Sequence, residues 1–266
     1  MTRDIVDERL IGALHVRTLT ASDLDRDRPK DHVAYQAGTL SALMDGNFDG
    51  DATLEQLLAH GDIGIGTVEA LGGELVVLDG TAYLVDGHGR VTKPPPGTRT
   101  PFAVVCRFRQ VSGFGVGKPT SLATVRRLID EKVGDPDVLV GVRIDGSFST
   151  ARLRSVHRQQ RPYPPLVEVT DHQTEWEIDR VDGTIVGFRF PDPAAAIDVP
   201  GHHLHLISND RLEGGHVLDL QIEHGTVHLD TSDELHVELP QGVSLQDGAI
   251  VDRDAIARAE GGGEPA

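Results

Sequence analysis

Four histidines stand in the stretch "VPGHHLHLISNDRLEGGHVLDL": His202, His203, His205 and His216. Imidazole is a ligand for zinc and related divalent metals where the spacing brings ring nitrogens to one side. Side chains along a strand alternate faces, so His203 and His205 share a face while His202 and Leu204 point to the other. Two residues of strand span about 6.5–7 Å, which suits two imidazoles converging on one ion. The chain then runs through "NDRLEGG", rich in turn formers, to His216. If 203–208 and 216–222 pair antiparallel about a centre between Asp210 and Arg211, His216 lies opposite His205. Cross-strand neighbours on one face have Cβ atoms about 4.5–5.5 Å apart. The spacing therefore predicts a metal centre of His203, His205 and His216, with His202 left out. Three imidazoles leave a fourth position open, the pattern of catalytic rather than structural zinc. A histidine-rich solvated strand is the bland alternative. His224, His228 and His236 fall on other predicted strands and read as surface or half-buried side chains rather than ligands.

The elements that must position this hairpin are mostly strands. Thirty glycines and fifteen prolines in 266 residues favour a turn-rich β fold over a helical bundle. "DIGIGTVEALGGELVVLDGTAYLVDGHGRVTK" has short apolar runs broken by "GG", "DG" and "GHG". That predicts a meander with strands near 63–69, 74–78, 81–85 and 90–92. "PFAVVCRFRQV" is another strand, and "VLVGVRIDGSFSTARLRSVH" reads as two strands joined at "DGS". Two helices are expected ahead of the tail, and "AIARAEGGGEPA" at its end reads as a short helix followed by a glycine-rich end. "DATLEQLLAHG" has Thr53 and Gln56 placed for a capping box, and "TSLATVRRLIDEKV" sets Leu122, Val125, Leu128 and Ile129 on one face. "QQRPYPPLVEV" carries three prolines within four residues and reads as a stiff connector. Strands continue beyond it. The predicted fold class is β-rich α/β (α+β) in two domains. Residues 1–30 form a charged lead-in and 31–160 an N-terminal domain with a mixed sheet. Residues 161–250 form an antiparallel, barrel-like β domain carrying the histidine site, and 251–266 a tail.

Composition excludes several functions. The formal net charge of −17 disfavours nucleic acid and anionic membrane surfaces as partners. An anionic substrate would need a local cation, either a metal ion or an arginine. The one cysteine, Cys106, permits no internal disulfide and no cysteine-based zinc cluster. The N-terminus carries charges throughout and no run of 18 apolar residues occurs, so the expectation is a cytoplasmic protein without a membrane span. "SGFGVGKPT" is not a phosphate-binding loop. Ser112 stands where glycine is needed, and Pro119 replaces the hydroxyl residue after Lys118. It reads as a turn before the second helix. No dinucleotide fingerprint and no Gly-x-Ser-x-Gly elbow appears.

Three blocks, in order, resemble the α-acetolactate decarboxylase family. They are "YQAGTLSALMDGNFDGDATLEQLLAHGDIGIGTVEALGGELVVLDGTAYLVDGHG", "LRSVHRQQRPYPPLVEV" and "GFRFPDPAAAIDVPGHHLHLISNDRLEGGHVLDL". The resemblance spans roughly Tyr35 to Pro240. It implies a metal-dependent carboxy-lyase, usually with zinc, that converts (S)-2-acetolactate to (R)-acetoin and carbon dioxide. It implies one Zn²⁺ per chain on His203, His205 and His216, and no thiamine, pyridoxal or nucleotide cofactor. The family's site arginine falls on Arg154, its "GGEL" glutamate on Glu74, and Thr67 lines the site. A second glutamate near the C-terminus falls on Glu260, with Glu264 the alternative. The resemblance also suggests a homodimer.

The chemistry implied is Lewis-acid stabilisation of an enediolate through the ketone and hydroxyl oxygens. Arg154 would position the carboxylate or screen the developing charge, and Glu260 or Glu74 would deliver the proton. Two other readings stay open on the residues alone. "PG…HxH" faintly resembles cupin oxygenases and isomerases, although Asp210 stands where a glutamate is expected and His216 comes early. A non-enzymatic zinc-binding β-protein would instead hold the ion with four protein ligands.

Overall fold

The structure, a computed structural model, describes residues 14–24, 30–195, 197–239 and 256. Two sheets organise it. The first has eight strands in the order His15–Leu19, Glu234–Glu238, Val33–Ala37, Ala103–Cys106, Ile63–Thr67, Glu74–Leu78, Thr81–Val85 and Val91–Thr92. It is mixed. Glu234–Glu238 runs parallel to both its neighbours, and the other pairs are antiparallel. The second is antiparallel, in the order Ser112–Ser121, Gly214–Ser232, Leu139–Ser155, Thr174–Phe190 and Gly201–Ser208. Its last strand returns to pair with Gly214–Ser232. Among the described residues no helix is long and apolar enough to cross a membrane.

Strand Glu74–Leu78 is buried throughout because both of its faces are covered. Val76 and Leu78 join Val186, Phe188 and Ile207 in the core between the sheets. Leu75 and Val77 join Leu54 and Leu57 of the helix on the far side. A strand covered on both faces reads as a continuous apolar run, as "ELVVL" does. Alternation puts Glu74 on the face of Val76, towards the second sheet. Strand Gly201–Ser208 answers from that sheet. Leu204 and Leu206 pack with Leu122, Val125 and Ile129 of helix Leu122–Val133, which leaves His203, His205 and Ile207 facing the first sheet.

Both helices ahead of the tail form as the sequence predicts. Thr53 and Gln56 make the reciprocal capping box of helix Leu54–Leu58. Ser121 caps helix Leu122–Val133, and Gly134 ends it at φ 75°. Leu128 is only half-buried.

Several readings need correction. "DGS" is no turn, because Leu139–Ser155 is one 17-residue strand with register shifts near Ser147 and Phe148. Gly146 marks a close approach instead, since a Cβ there would lie 2.5 Å from the His224 carbonyl oxygen. "SGFGVGKPT" lies in strand Ser112–Ser121, paired to Gly214–Ser232, rather than in a turn. Its glycines hide the alternation of an edge strand. Finally, the sheets do not divide at residue 160. Ser112–Ser121 and Leu139–Ser155 belong to the second sheet, and Glu234–Glu238 belongs to the first. The proline run is a surface segment held to the N-terminal half, not a connector. Tyr163 packs on Phe48 with ring centroids 5.2 Å apart, and its hydroxyl donates to Asp49 at 3.1 Å. Within the expected lead-in, His15–Leu19 is a sheet strand. Of the tail, only Ile256 is described, and it is buried.

Candidate metal centre

The hairpin places His205 opposite His216, in the register expected from the turn. Gly215 makes this pairing possible, for the strand passes tightly between its neighbours. It stands at φ 145°, and a Cβ there would lie 2.8 Å from the Arg154 carbonyl oxygen. The three rings of His203, His205 and His216 have centroids 5.0–5.3 Å apart. One nitrogen of each lies within 4.8 Å of the others, and all three residues are buried.

Buried imidazoles are costly to charge, and burial lowers the pKa of two of these three. Burial pushes His205 well below its ordinary range, and the neighbouring His203 adds to this. Burial does the same to His216, with Arg154 the next cause. His205 Nδ1 donates to the Leu75 carbonyl at 2.8 Å. That bond leaves Nε2 as the lone-pair nitrogen and fixes the ring plane, as second-shell partners of ligating histidines do. Three converging, buried imidazoles could bind a divalent transition metal, so the residues fit the group that the sequence implies. Behind them, Asp198 Oδ1 lies 4.0 Å from His203 Nδ1.

Glu74, Arg154 and Thr67 meet at the same place. Arg154 lies beside His216 in the sheet register, and its Nη1 donates to Glu74 Oε1 at 3.2 Å. The other Glu74 oxygen lies 3.4 Å from His205 Nε2. Side-chain exposure is 6% for Arg154 and 8% for Glu74, so this is a buried ion pair. The other arginines of the segment are solvated: Arg158 is 59% and Arg161 70% exposed. Thr67 pairs with Glu74 across the strands, and its hydroxyl donates to the Gly73 carbonyl at 2.8 Å. Thr67, Glu74, Arg154 and His203 form the polar side of one cavity, whose apolar wall includes Leu40, Leu43, Leu71, Phe102, Val156 and Leu166. Ile256 belongs to the same apolar cluster. Glu260 and Glu264 lie outside the described residues.

The remaining histidines sit elsewhere. His202 Nε2 reaches Asp130 on helix Leu122–Val133 at 3.0 Å, and burial takes the ring down to about 4. His224 contacts Ser147, His228 contacts Gln110, and His236 is buried against Tyr35 and Glu234. The reading of His236 as a surface or half-buried residue is thus corrected, since strand Glu234–Glu238 is covered on both sides. Sequence reasoning had no signal for the apolar wall or for Asp198. An aliphatic side chain lining a cavity looks the same in sequence as one filling the core.

Comparison with known proteins places the chain among relatives. The family model described as alpha-acetolactate decarboxylase matches residues 34–250. The alpha-acetolactate decarboxylase of Methylococcus capsulatus is 37% identical over 225 residues, covering 85% of each chain. That of Brevibacillus brevis is 38% identical over 209 residues, covering 79% of this chain and 73% of the relative. The crystal structure of alpha-acetolactate decarboxylase from Bacillus subtilis superposes with a TM-score of 0.81 at 33% identity. It covers 86% of this chain and 99% of that one. The fold, the length of the match and the identity agree, and the chain belongs to the alpha-acetolactate decarboxylase family.

Proposed function

We propose that this protein decarboxylates (S)-2-acetolactate to (R)-acetoin and carbon dioxide, with one Zn²⁺ per chain held by His203, His205 and His216. Beside the family match, the observation that carries this reading is a buried cation, Arg154, in the same cavity as His203, one of three convergent imidazoles. On a chain with net charge −17, that cavity is where an anionic substrate can be held. The cupin-like and non-enzymatic readings give way to family membership.

When bound, the metal supplies Lewis acidity to the substrate's ketone and hydroxyl oxygens, stabilising the negative charge left as carbon dioxide departs. The protein groups do the rest. Arg154 offers a planar fork matched to the carboxylate, with Nη1 committed to Glu74. That ion pair fixes the guanidinium beside the cavity that Arg154 lines. As the C–C bond breaks, its electron pair moves towards the ketone to give an enediolate, and one proton must then reach the former carboxyl-bearing carbon. Glu74 in its ion pair is an acceptor, so it becomes a donor only after taking a proton from water, or from the substrate hydroxyl, which water then reprotonates. Glu260 is the alternative donor in this scheme. Thr67 holds the Gly73 carbonyl and so sets the approach of Glu74. The apolar wall excludes water from the carbanionic stage, limiting unselective protonation.

The test is an acetoin assay on racemic acetolactate. The expected result is rapid conversion of one enantiomer, with (R)-acetoin the product. Failure to form acetoin from either enantiomer would end this reading.

A further inference from the structure

The segment from Thr67 to Glu74 supplies three members of the cavity: Thr67, Leu71 and Glu74. Two neighbours within it, Ala70 and Leu71, stand at φ 60° and 51°. Bulky L-residues seldom adopt that conformation, and glycine or asparagine is the usual occupant. The surroundings impose it. Ala70 N–H donates to the Phe48 carbonyl at 2.8 Å, and the Ala70 carbonyl accepts from Gln159 N–H at 2.7 Å. Glu69 N–H donates to the Arg99 carbonyl at 2.9 Å. Strain held in place by its surroundings is characteristic of functional sites. Its consequence here is specific: it turns a leucine onto the cavity wall, 3% exposed and three residues before Glu74.

A substrate whose carboxylate lies at Arg154 presents the 2-alkyl group, borne on the same carbon, beside the Arg154–Glu74 pair. The loop leading into Glu74 then supplies one apolar residue of the same cavity, Leu71, three positions before Glu74. We infer that Leu71 is the specificity-determining residue for this 2-alkyl group, accepting the methyl of acetolactate and bounding longer chains. The inference rests on the decarboxylase reading above.

The experiment compares kcat/KM for acetolactate and its 2-ethyl and 2-propyl homologues in the metal-loaded wild-type protein, Leu71→Ala and Leu71→Gly. One methylene against a hydrophobic wall is worth about 10–200-fold in kcat/KM. The wild-type preference for methyl over propyl should therefore fall by about 10-fold or more in both variants. Tm gives a second readout. Glycine ordinarily destabilises relative to alanine, but at a left-handed position the order reverses. Leu71→Gly should melt at or above Leu71→Ala, which also keeps one variant folded for the kinetics. If the wild type converts acetolactate and the methyl-to-propyl ratio is unchanged in the variants, Leu71 is only a core residue and the inference is wrong. If the wild type does not convert acetolactate, the decarboxylase reading itself fails, and this inference with it.

Discussion

His202 and His203 are chain neighbours, and strand alternation gives them different tasks. His203 faces the first sheet and joins two other imidazoles, while His202 faces helix Leu122–Val133 and ties it down through Asp130. The two buried glutamates of the first sheet repeat the contrast. Glu74 is paired with Arg154 and lies beside His205. Glu238 is as deeply buried, but its charged neighbour is Asp51, and burial first and Asp51 second push its carboxyl up to about 7. Residue type and burial therefore do not identify a site group. What distinguishes His203 and Glu74 is the set of partners that the topology brings to them.

Substitutions can test that contrast. The largest effect is expected at the metal-facing histidines. His205→Ala should lose bound zinc and lower kcat/KM by about 10³-fold or more, equivalent to several kcal/mol of charge stabilisation. Metal analysis and kinetics on one preparation check it. Arg154→Ala should keep the metal and lower turnover by about 10²–10³-fold, the usual effect of removing one pre-organised donor. It should also lower stability by about 3–5 kcal/mol by stranding Glu74 as a buried charge. Arg154→Lys should recover stability better than activity, because the planar fork is lost. Wild-type turnover in Arg154→Ala would reduce Arg154 to a structural residue.

Glu238 gives a smaller effect that reads out in stability. Its folded pKa of about 7 lies above the ordinary glutamate value of 4.5. The folded state therefore keeps a proton that the unfolded state releases between those values. Stability from this group is fully present below about pH 4.5 and is lost as pH rises to 7, by about 3 kcal/mol. Glu238→Gln should gain that much over the wild type between pH 4.5 and 7 in denaturant titrations, with zinc content unchanged. A constant difference across that range contradicts the assignment. The smallest effect is expected at His202→Ala: about 1–3 kcal/mol of stability, metal retained and kcat/KM within a few-fold. Loss of zinc in this variant would remove the distinction between the two faces of the strand.

The hairpin was legible because its logic is local. Period-two alternation separates His202 from His203, and one turn sets the pairing of His205 with His216. The capping box at Thr53 and Gln56 was legible for the same reason. Long strands were harder to read. Glycines needed for close backbone approach, such as Gly146, look like turn residues in sequence, so one strand was divided in two. The Arg154–Glu74 pair joins residues 80 positions apart, and no periodicity relates them. Both were named through family resemblance, and only the fold separates Arg154 from the solvated arginines around it. The proline run was misread because prolines mark an extended backbone without saying whether it packs on anything.

The most direct test of the account is a zinc titration of metal-free protein, with acetoin formation from acetolactate followed in the same samples. The expected result is no acetoin without metal, then activity rising in proportion to zinc and reaching its plateau at one ion per chain. Full acetoin formation by protein shown to be metal-free would contradict it.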